Sequence, residues 1–410
     1  MKVELVPIER VIPYARNPRR NEHAVAKVAG SIKEFGFRQP IVVDKDMVII
    51  VGHTRLLAAQ QLGFKEVPIH IAEGLSEVKV KAYRIADNRT HEEAEWDEEL
   101  LALELGDLKG LDFDLDLTGF DPDELDKLLS LEGAEGLTDE DSIPEVEGKA
   151  VSQLGDVWVC GNHRLLCGDS TDPAAMQKLL AGSLADMVFT DPPYNVNYGA
   201  TMKDKMRGNK RTIKNDNLGE DFYAFLLKAC WNFLEVCKGA VYICMSSSEL
   251  DTLQKAFRES GGHWSTFVIW AKNTFTIGRS DYQRQYEPIL YGWKEGNSHF
   301  WCGARDQGDV WFFDKPVAND LHPTMKPVSL VERAIINSSK SRDIVLDSFG
   351  GSGTTMIAAE KTGRMARLIE LDPKYCDVIV RRWQEFTGQK ALLDGEEKEF
   401  DELVRERTGG

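Results

Sequence analysis

The chain has 410 residues, 42% of them hydrophobic and 29% charged. That length calls for two or three domains, and the mix is that of a globular protein able to bury a sizeable core. No run of eighteen apolar residues is present, which argues against a membrane-spanning helix, and the first twenty residues lack the apolar stretch of a secretory signal. The net charge of −17 would speak against a nucleic-acid partner if it were evenly spread, and it is not. Residues 1–91 carry +5, residues 92–150 carry −19, residues 151–388 carry 0 and residues 389–410 carry −3. The segments able to bind or catalyse are therefore basic or neutral. Seven cysteines, with no C-x-x-C pair among them, read as reduced, mostly buried thiols, and no metal site is expected.

In chain order, residues 1–91 alternate short helical and strand-like stretches. Ala24–Gly36 has apolar residues at helical spacing and ends on a glycine, and TRLLAAQQLG is a second helix of the same kind. QPIVVD, MVIIVG and VPIHIA are short apolar strands. The segment is a small α/β or α+β domain. Residues 92–148 hold two acidic helices, EEAEWDEELLALELGDLKG and DPDELDKLLSLEG, each with one Leu-rich face, and then a linker. From residue 149 to 388, strands alternate with helices: HRLLCGD, ADMVFTD, AVYICMS and DIVLDSF are apolar runs ending in polar or Gly-rich turns. Such alternation predicts an α/β fold with a mostly parallel sheet covered by helices, whose ligands bind at the carboxyl ends of the strands. Residues 389–410 read as an acidic tail.

Two motifs stand at those ends. Asp347-Ser-Phe349-Gly-Gly351-Ser-Gly353-Thr354-Thr follows the strand IVLD and opens a helix. Its glycines permit a tight turn and close approach to a ligand, and the helix N-terminus favours an anionic group. The next strand ends in Glu370, a carboxylate placed to accept bonds from ribose hydroxyls. Together they point to a nucleoside-bearing cofactor. No Gly-Lys-Ser/Thr follows the glycines, so a nucleotide triphosphatase is disfavoured. The second motif, Asp191-Pro192-Pro193-Tyr194, directly follows ADMVFT. Its prolines fix the backbone. A carboxylate beside a prolyl carbonyl makes two acceptors for a planar amino group, and the tyrosine ring offers a stacking platform for a base taken out of its duplex.

These residues carry a resemblance. Residues 150–388 resemble the amino-group DNA methyltransferases that use S-adenosylmethionine, in the motif order of their circularly permuted β group. Asp191–Tyr194 is similar to the catalytic motif, Asp347–Thr355 to the cofactor motif and His322-Pro-Thr324-Met-Lys326-Pro327 to the segment preceding it, while Gly168-Asp169-Ser170 matches the position contacting the cofactor adenine. The resemblance implies a Rossmann-like sheet with Asp169, Ser170, Thr324, Lys326, Asp347, Phe349, Gly351, Gly353, Thr354 and Glu370 at the cofactor. It implies attack of a flipped base's amino nitrogen on the sulfonium methyl, with Asp191 and the Pro192 carbonyl accepting the N–H bonds and Tyr194 stacking. No covalent intermediate is needed, and the acidic first residue favours adenine N6 over cytosine N4.

Between the motifs, Lys203, Lys205, Arg207, Lys210, Arg211 and Lys214 form a basic loop suited to clamp a DNA backbone. The stretch Phe275–Asp320, with Arg279, Arg284 and Arg305 amid aromatics, falls at the family's target-recognition region. Residues 1–91 resemble the ParB-like domain of chromosome-partition proteins through RNPRRN, SIKEFGFRQPIVV and Gly52-His-Thr54-Arg55-Leu-Leu-Ala-Ala. That resemblance implies phosphate contacts from Gly52, Thr54 and Arg55 at a helix N-terminus. His53-Thr54 stand where partition proteins have Glu-Arg, and their helix-turn-helix domain is missing, replaced by the acidic helices, so nucleotide hydrolysis and clamp formation are not expected. The expected protein is a cytoplasmic, site-specific adenine DNA methyltransferase of the restriction-modification type. Its partners would be double-stranded DNA and, as a homodimer, a second copy, with no membrane and the endonuclease partner left open. The alternatives are N4-cytosine methylation and a ParB-like DNA-binding protein with a degenerate methyltransferase domain.

Overall fold

In a computed structural model the chain divides into two compact units, Met1–Glu132 and Gly133–Gly410. The structure describes residues 2–19, 22–90, 96, 98–111, 113–129, 136–146, 148–195, 217–276, 281–303, 306–314, 325–396 and 398–408.

The first unit is built on a four-stranded sheet of order β1-β4-β2-β3, formed by β1 (Glu4–Pro7), β2 (Ile41–Val43), β3 (Ile49–Val51) and β4 (Glu66–Ile71). β2 and β4 run parallel while the outer pairs are antiparallel. Ile41, Val43, Ile49, Val67 and Ile69 fill its core, and α1 (Glu22–Phe35) packs on α2 (His53–Gln61) through Ala29, Ile32 and Ala58. A third helix, α3 (Glu77–Thr90), buries Arg84, whose guanidinium bonds the Ile49 carbonyl at 3.0 Å and Asp44 at 3.2 Å. The two acidic helices form as α4 (Glu98–Gly110) and α5 (Pro122–Leu129). Their Leu faces meet at Leu105, Leu125 and Leu128, which leaves the carboxylates outward.

The second unit holds a ten-stranded sheet of order β11-β9-β10-β8-β7-β12-β13-β6-β5-β14. Its centre is the expected parallel array: β6 (His163–Cys167), β7 (Met187–Thr190), β8 (Ala240–Cys244), β12 (Ile344–Asp347) and β13 (Met365–Glu370). Every residue of β7, β8 and β12 is buried, as in sheets covered by helices on both faces. Those helices include α6 (Pro173–Leu180), α7 (Phe222–Val236), α8 (Leu250–Glu259), α9 (Val328–Ser338), α10 (Thr354–Lys361) and α11 (Pro373–Thr387). Both flanks depart from the parallel pattern. On one side β5 (Val157–Cys160) pairs antiparallel with β6. On the other, β9 (Gly262–Thr276) and β10 (Arg284–Lys294) form a long antiparallel hairpin, and β11 (Val310–Phe312) runs along β9.

The stretch read as an acidic tail is part of this sheet. β14 (Leu392–Leu393) pairs with β5, and α12 (Phe400–Thr408) buries Phe400 against Trp158, ring centroids 5.1 Å apart. Its charges occupy the outer face, so composition alone reads as solvated what periodicity places on a core. The linker is likewise held. Among residues 136–146, Leu137 N–H donates to the Phe386 carbonyl at 2.8 Å, Asp141 accepts from Val328 N–H at 3.0 Å, and the Glu140 carbonyl accepts from Arg382 at 2.7 Å. All seven cysteines are free thiols and six are buried. Among the described residues no helix is long and apolar enough to cross a membrane.

Candidate active site

Four adjacent parallel strands, β7, β12, β13 and β6, end on the same edge of the sheet. Hydrogen bonding fixes register, so residues far apart in sequence arrive side by side: Asp191 follows β7, Asp347 ends β12, Glu370 ends β13 and Gly168–Ser170 follow β6. Thr190, the last residue of β7, joins the two motifs. Its hydroxyl donates to Asp347 Oδ1 at 2.9 Å and accepts from Ser348 N–H at 3.1 Å.

The Gly-rich turn is built around its own acids. Asp347 also accepts from Phe349 N–H at 3.0 Å and from the Thr355 hydroxyl at 2.7 Å. Glu370 accepts from Gly351 N–H and Asp372 N–H, each at 2.8 Å. Burial pushes each of these carboxyls up to about 7, against the pull of those hydrogen bonds. Gly353 requires its glycine. It sits at φ +81°, and a Cβ there would lie 3.0 Å from Ile379. Beneath the turn, Arg382 is buried and donates to the Ser352 carbonyl at 2.9 Å, and it lies 3.4 Å from the Thr354 hydroxyl. Phe349 packs against Phe225, centroids 5.7 Å apart. Asp169 is exposed and accepts from Thr171 N–H and hydroxyl at 2.8 Å, while Ser170 is buried and its carbonyl takes the Asn232 amide at 2.9 Å.

Asp191–Tyr194 lies beside this turn. Asn195, in the left-handed conformation at φ 57°, closes the motif by accepting from Leu218 and Gly219 N–H at 3.0 Å. The motif is not a free pair of acceptors. Tyr194 Oη lies 2.5 Å from Asp191 Oδ1 and 2.6 Å from Glu287 Oε1. Lys326, expected at the cofactor, instead reaches the Asp191–Tyr194 motif. Its ammonium is buried and bonds Asp191 Oδ2 at 2.6 Å, Glu287 Oε1 at 2.7 Å and Tyr194 Oη at 2.9 Å. A buried ammonium needs anions around it, and two carboxylates with a phenol meet that need better than an open pocket. Lys272 on β9 holds the other Glu287 oxygen at 2.8 Å. Burial raises the Asp191 carboxyl above its usual range, opposed by Lys326. Burial pulls the same way on Glu287, but Lys326 and Lys272 outweigh it and hold that carboxyl low. Burial works against the Lys326 ammonium, and Asp191 and Glu287 overcome it. Burial, Asp191 and Glu287 all raise the Tyr194 phenol. Asp191, Glu287 and Cys244 could together ligate a cation, and the Lys326 ammonium stands against both carboxylates in that place.

Arg284, at the start of β10, donates to Ser246 just beyond β8 at 3.2 Å, which brings the hairpin to the same edge. Thr324, Arg279, Arg305 and the basic positions Lys203, Lys205, Arg207, Lys210, Arg211 and Lys214 lie outside the described residues. In the first unit, Gly52 caps α2 at φ 106°. Arg55 bonds the Pro40 carbonyl at 3.3 Å and the Gln39 side chain, and Thr54 and Arg55 line a cavity of about 680 Å³ with Asn17, Arg19, Ser31 and Arg38. His53 Nε2 accepts from Tyr14 N–H at 3.2 Å. Glu287, Lys272, Thr190 and Arg382 went unseen in the sequence. A carboxylate inside the apolar strand YEPILYGW was the one visible signal, since charge in a buried strand is rare unless paired.

Residues 185–381 match the family model described as DNA methylase, residues 1–88 the ParB N-terminal domain and residues 99–154 the ParB-methyltransferase HTH domain. The last match corrects the expectation that a helix-turn-helix is missing: the acidic helices are themselves that domain, and their charge had disguised it. Type II methyltransferase M.HpaI of Haemophilus parainfluenzae is 28% identical over 258 residues, covering 55% of this chain and 76% of that protein. DNA adenine methyltransferase YhdJ of Escherichia coli K12 is 26% identical over 244 residues, covering 52% and 80%. The solved M1.HpyAVI–SAM complex shares 20% identity over 53% of this chain and 97% of its own, at a TM-score of 0.41.

Proposed function

From a chain whose residues 185–381 belong to the DNA methylase family and whose residues 1–88 belong to the ParB N-terminal domain family, we propose a site-specific DNA methyltransferase that methylates the exocyclic N6 of adenine. The observation that carries this reading is the Thr190–Asp347 bond, which ties the amine-accepting motif to the Gly-rich turn at one sheet edge. Adenine is favoured by the acidic residue at position 191 and by the adenine methyltransferase among the relatives.

S-adenosylmethionine is the methyl donor in this reading, and the turn fits it. Ser348 Oγ is buried without a hydrogen-bond partner among the described residues, Gly351 and Gly353 leave the turn bare of side chains, and Glu370 offers a carboxylate at the next strand end. Asp169, Ser170, Asp347, Phe349, Gly351, Gly353, Thr354 and Glu370 would hold it. When bound, it supplies a methyl group made electrophilic by a sulfonium. The protein's own residues do the rest. Asp191 and the Pro192 carbonyl accept the two N–H bonds of the target amine and so favour its pyramidal, nucleophilic form. The Pro192-Pro193 backbone holds both acceptors still, and the Tyr194 ring stacks on the base. Lys326 works against the burial that raises the Asp191 carboxyl.

DNA would be held by the basic loop 203–214 and by the net-positive residues 1–91, and read by the hairpin region with Arg279, Arg284 and Arg305. At −19, the segment containing the helix-turn-helix is too acidic to attract phosphates. Gly52, Thr54 and Arg55 would contact phosphate in the cavity of the first unit. We take 1–91, 92–148 and 149–388 as the functional divisions, with residues 136–146 and 389–408 packed onto the last of them, in a cytoplasmic protein able to act as a homodimer beside an endonuclease or without one. The reading is tested by expression in a methylation-deficient host, with the genome read for modified bases. N6-methyladenine at one sequence supports it. N4-methylcytosine moves the chain to the other branch of its family, and no modified base, with no labelled methyl transferred in vitro, overturns it.

A further inference from the structure

We propose that Glu287 is a positioning residue that takes over the Tyr194 hydroxyl's hydrogen bond when the target amino group arrives, and so frees an oxygen of Asp191. This deepens the function proposed above and rests on it. Tyr194 Oη lies 2.5 Å from Asp191 Oδ1 and 2.6 Å from Glu287 Oε1. A phenol has one hydrogen, so it serves one of these carboxylates at a time. The Lys326 ammonium has three hydrogens, and the bonds to Asp191 Oδ2, Glu287 Oε1 and the lone pair of Tyr194 Oη use them all. The phenolic hydrogen is thus the element of the cluster with two acceptors to choose between.

The choice matters to Asp191. With the phenol on Oδ1 and Lys326 on Oδ2, each of its oxygens already carries a strong donor. An arriving N–H must compete with one of them. Lys326 is fixed by its second carboxylate and by burial. The phenol can yield by turning about its C–O bond toward Glu287, without moving its ring. Glu287 is built to receive it. It comes from β10, separated from β7 by β8 alone, and Lys272 on β9 holds its other oxygen at 2.8 Å. The two lysines keep that carboxylate ionised, hence an acceptor only. Without a second acceptor, the phenol would stay on Asp191 and block the amine.

The alternative is that Glu287 only balances the charge of Lys272 and Lys326. A double-substitution cycle in the full-length protein separates the two. Glu287→Gln keeps the shape of the side chain, and kcat is expected to fall about tenfold or more, the size of one charged hydrogen bond. The Tyr194→Phe background keeps the ring and removes the hydrogen in question. There the effect of Glu287→Gln should largely vanish. Equal losses in both backgrounds would overturn the proposal, since charge balance does not depend on the phenol. A second measurement is independent of turnover. With 13Cζ-labelled tyrosine, the Tyr194 signal, assigned by its loss in Tyr194→Phe, should move when DNA carrying the methylated site binds the unaltered protein, and much less when it binds Glu287→Gln. A signal that bound DNA moves equally in the two proteins also overturns the proposal. Absence of methyl transfer by the unaltered protein would instead sink the proposed function, and the labelled tyrosine would still report which carboxylate holds the phenol.

Discussion

Asp191 carries a donor on each oxygen, and burial opposes its charge. Its replacement by Ala, and that of Tyr194 by Ala, should abolish or strongly reduce methyl transfer measured with labelled cofactor. Cofactor binding should survive, because neither residue lies in the Gly-rich turn. Glu370 gives the complementary result. In Glu370→Ala, calorimetry should show cofactor binding weaker by roughly 1–3 kcal/mol, the loss of a charged hydrogen bond. The pH dependence has a definite sign. Burial raises the Glu370 carboxyl to about 7, so below that pH it is protonated and a poorer acceptor for hydroxyl groups. Affinity should therefore rise with pH, about tenfold between pH 6 and pH 8 for one group of that pKa. Asp347 titrates in the same range, so Glu370→Gln is the control, and whatever slope remains belongs to Asp347. The same shift acts on stability. A carboxyl raised in the folded state binds its proton more tightly than in the unfolded chain, so its contribution to stability falls as pH rises from about 4.5 through 7.

At the scale of elements, the segment at residues 136–146 acts as a strap rather than a spacer. Asp141 caps α9 at Val328, two residues from Lys326, and Glu140 meets Arg382, which supports the Gly-rich turn, as well as Lys361. Asp141→Ala should cost about 1 kcal/mol, the typical worth of a helix N-cap, seen as a lower melting temperature. A methyltransferase unit beginning at Gly136 should also melt roughly 5 °C or more above one beginning at Lys149, since the shorter piece loses several such contacts. Equal melting would show the strap to be dispensable. In sequence this segment reads as a linker because its apolar residues have no period. What holds it is a set of hydrogen bonds to residues about two hundred positions away, which no local pattern encodes. The central strands and their helices were legible for the opposite reason: fully buried strands are continuous apolar runs, and each turn after them carries its own glycines and acids.

For the whole molecule, charge is divided rather than averaged. DNA affinity should fall steeply with salt although the chain carries −17, because local cationic patches release counterions from the phosphates. Replacing Lys205, Arg207, Lys210 and Arg211 by neutral residues should weaken binding on all sequences alike, flatten the salt slope and leave target preference in place. Deleting residues 1–135, which keeps the strap, tests the first unit. Weaker binding with an unchanged site makes it an affinity module, whereas methylation at a different sequence would show that it takes part in reading.

By itself the sequence determined the parallel sheet, the two motifs at its strand ends and the division into a basic, an acidic and a neutral part. Those features are local: a strand's apolar run, a turn's glycines and prolines, a segment's net charge. It also held the helix-turn-helix, although acidic composition masked it until the family match at residues 99–154. The tertiary structure alone decided what surrounds the Asp191 carboxylate. Lys326 belongs with Asp191 because an ammonium buried at that edge must find anions, and Glu287 becomes one of them because β10 pairs with β8 in one register, Ile289 opposite Cys244. A shift of one residue would turn Glu287 to the other face of the sheet. Register across strands is set by the packing of the whole sheet, so the residues that hold Asp191 could be known only once the strands were side by side.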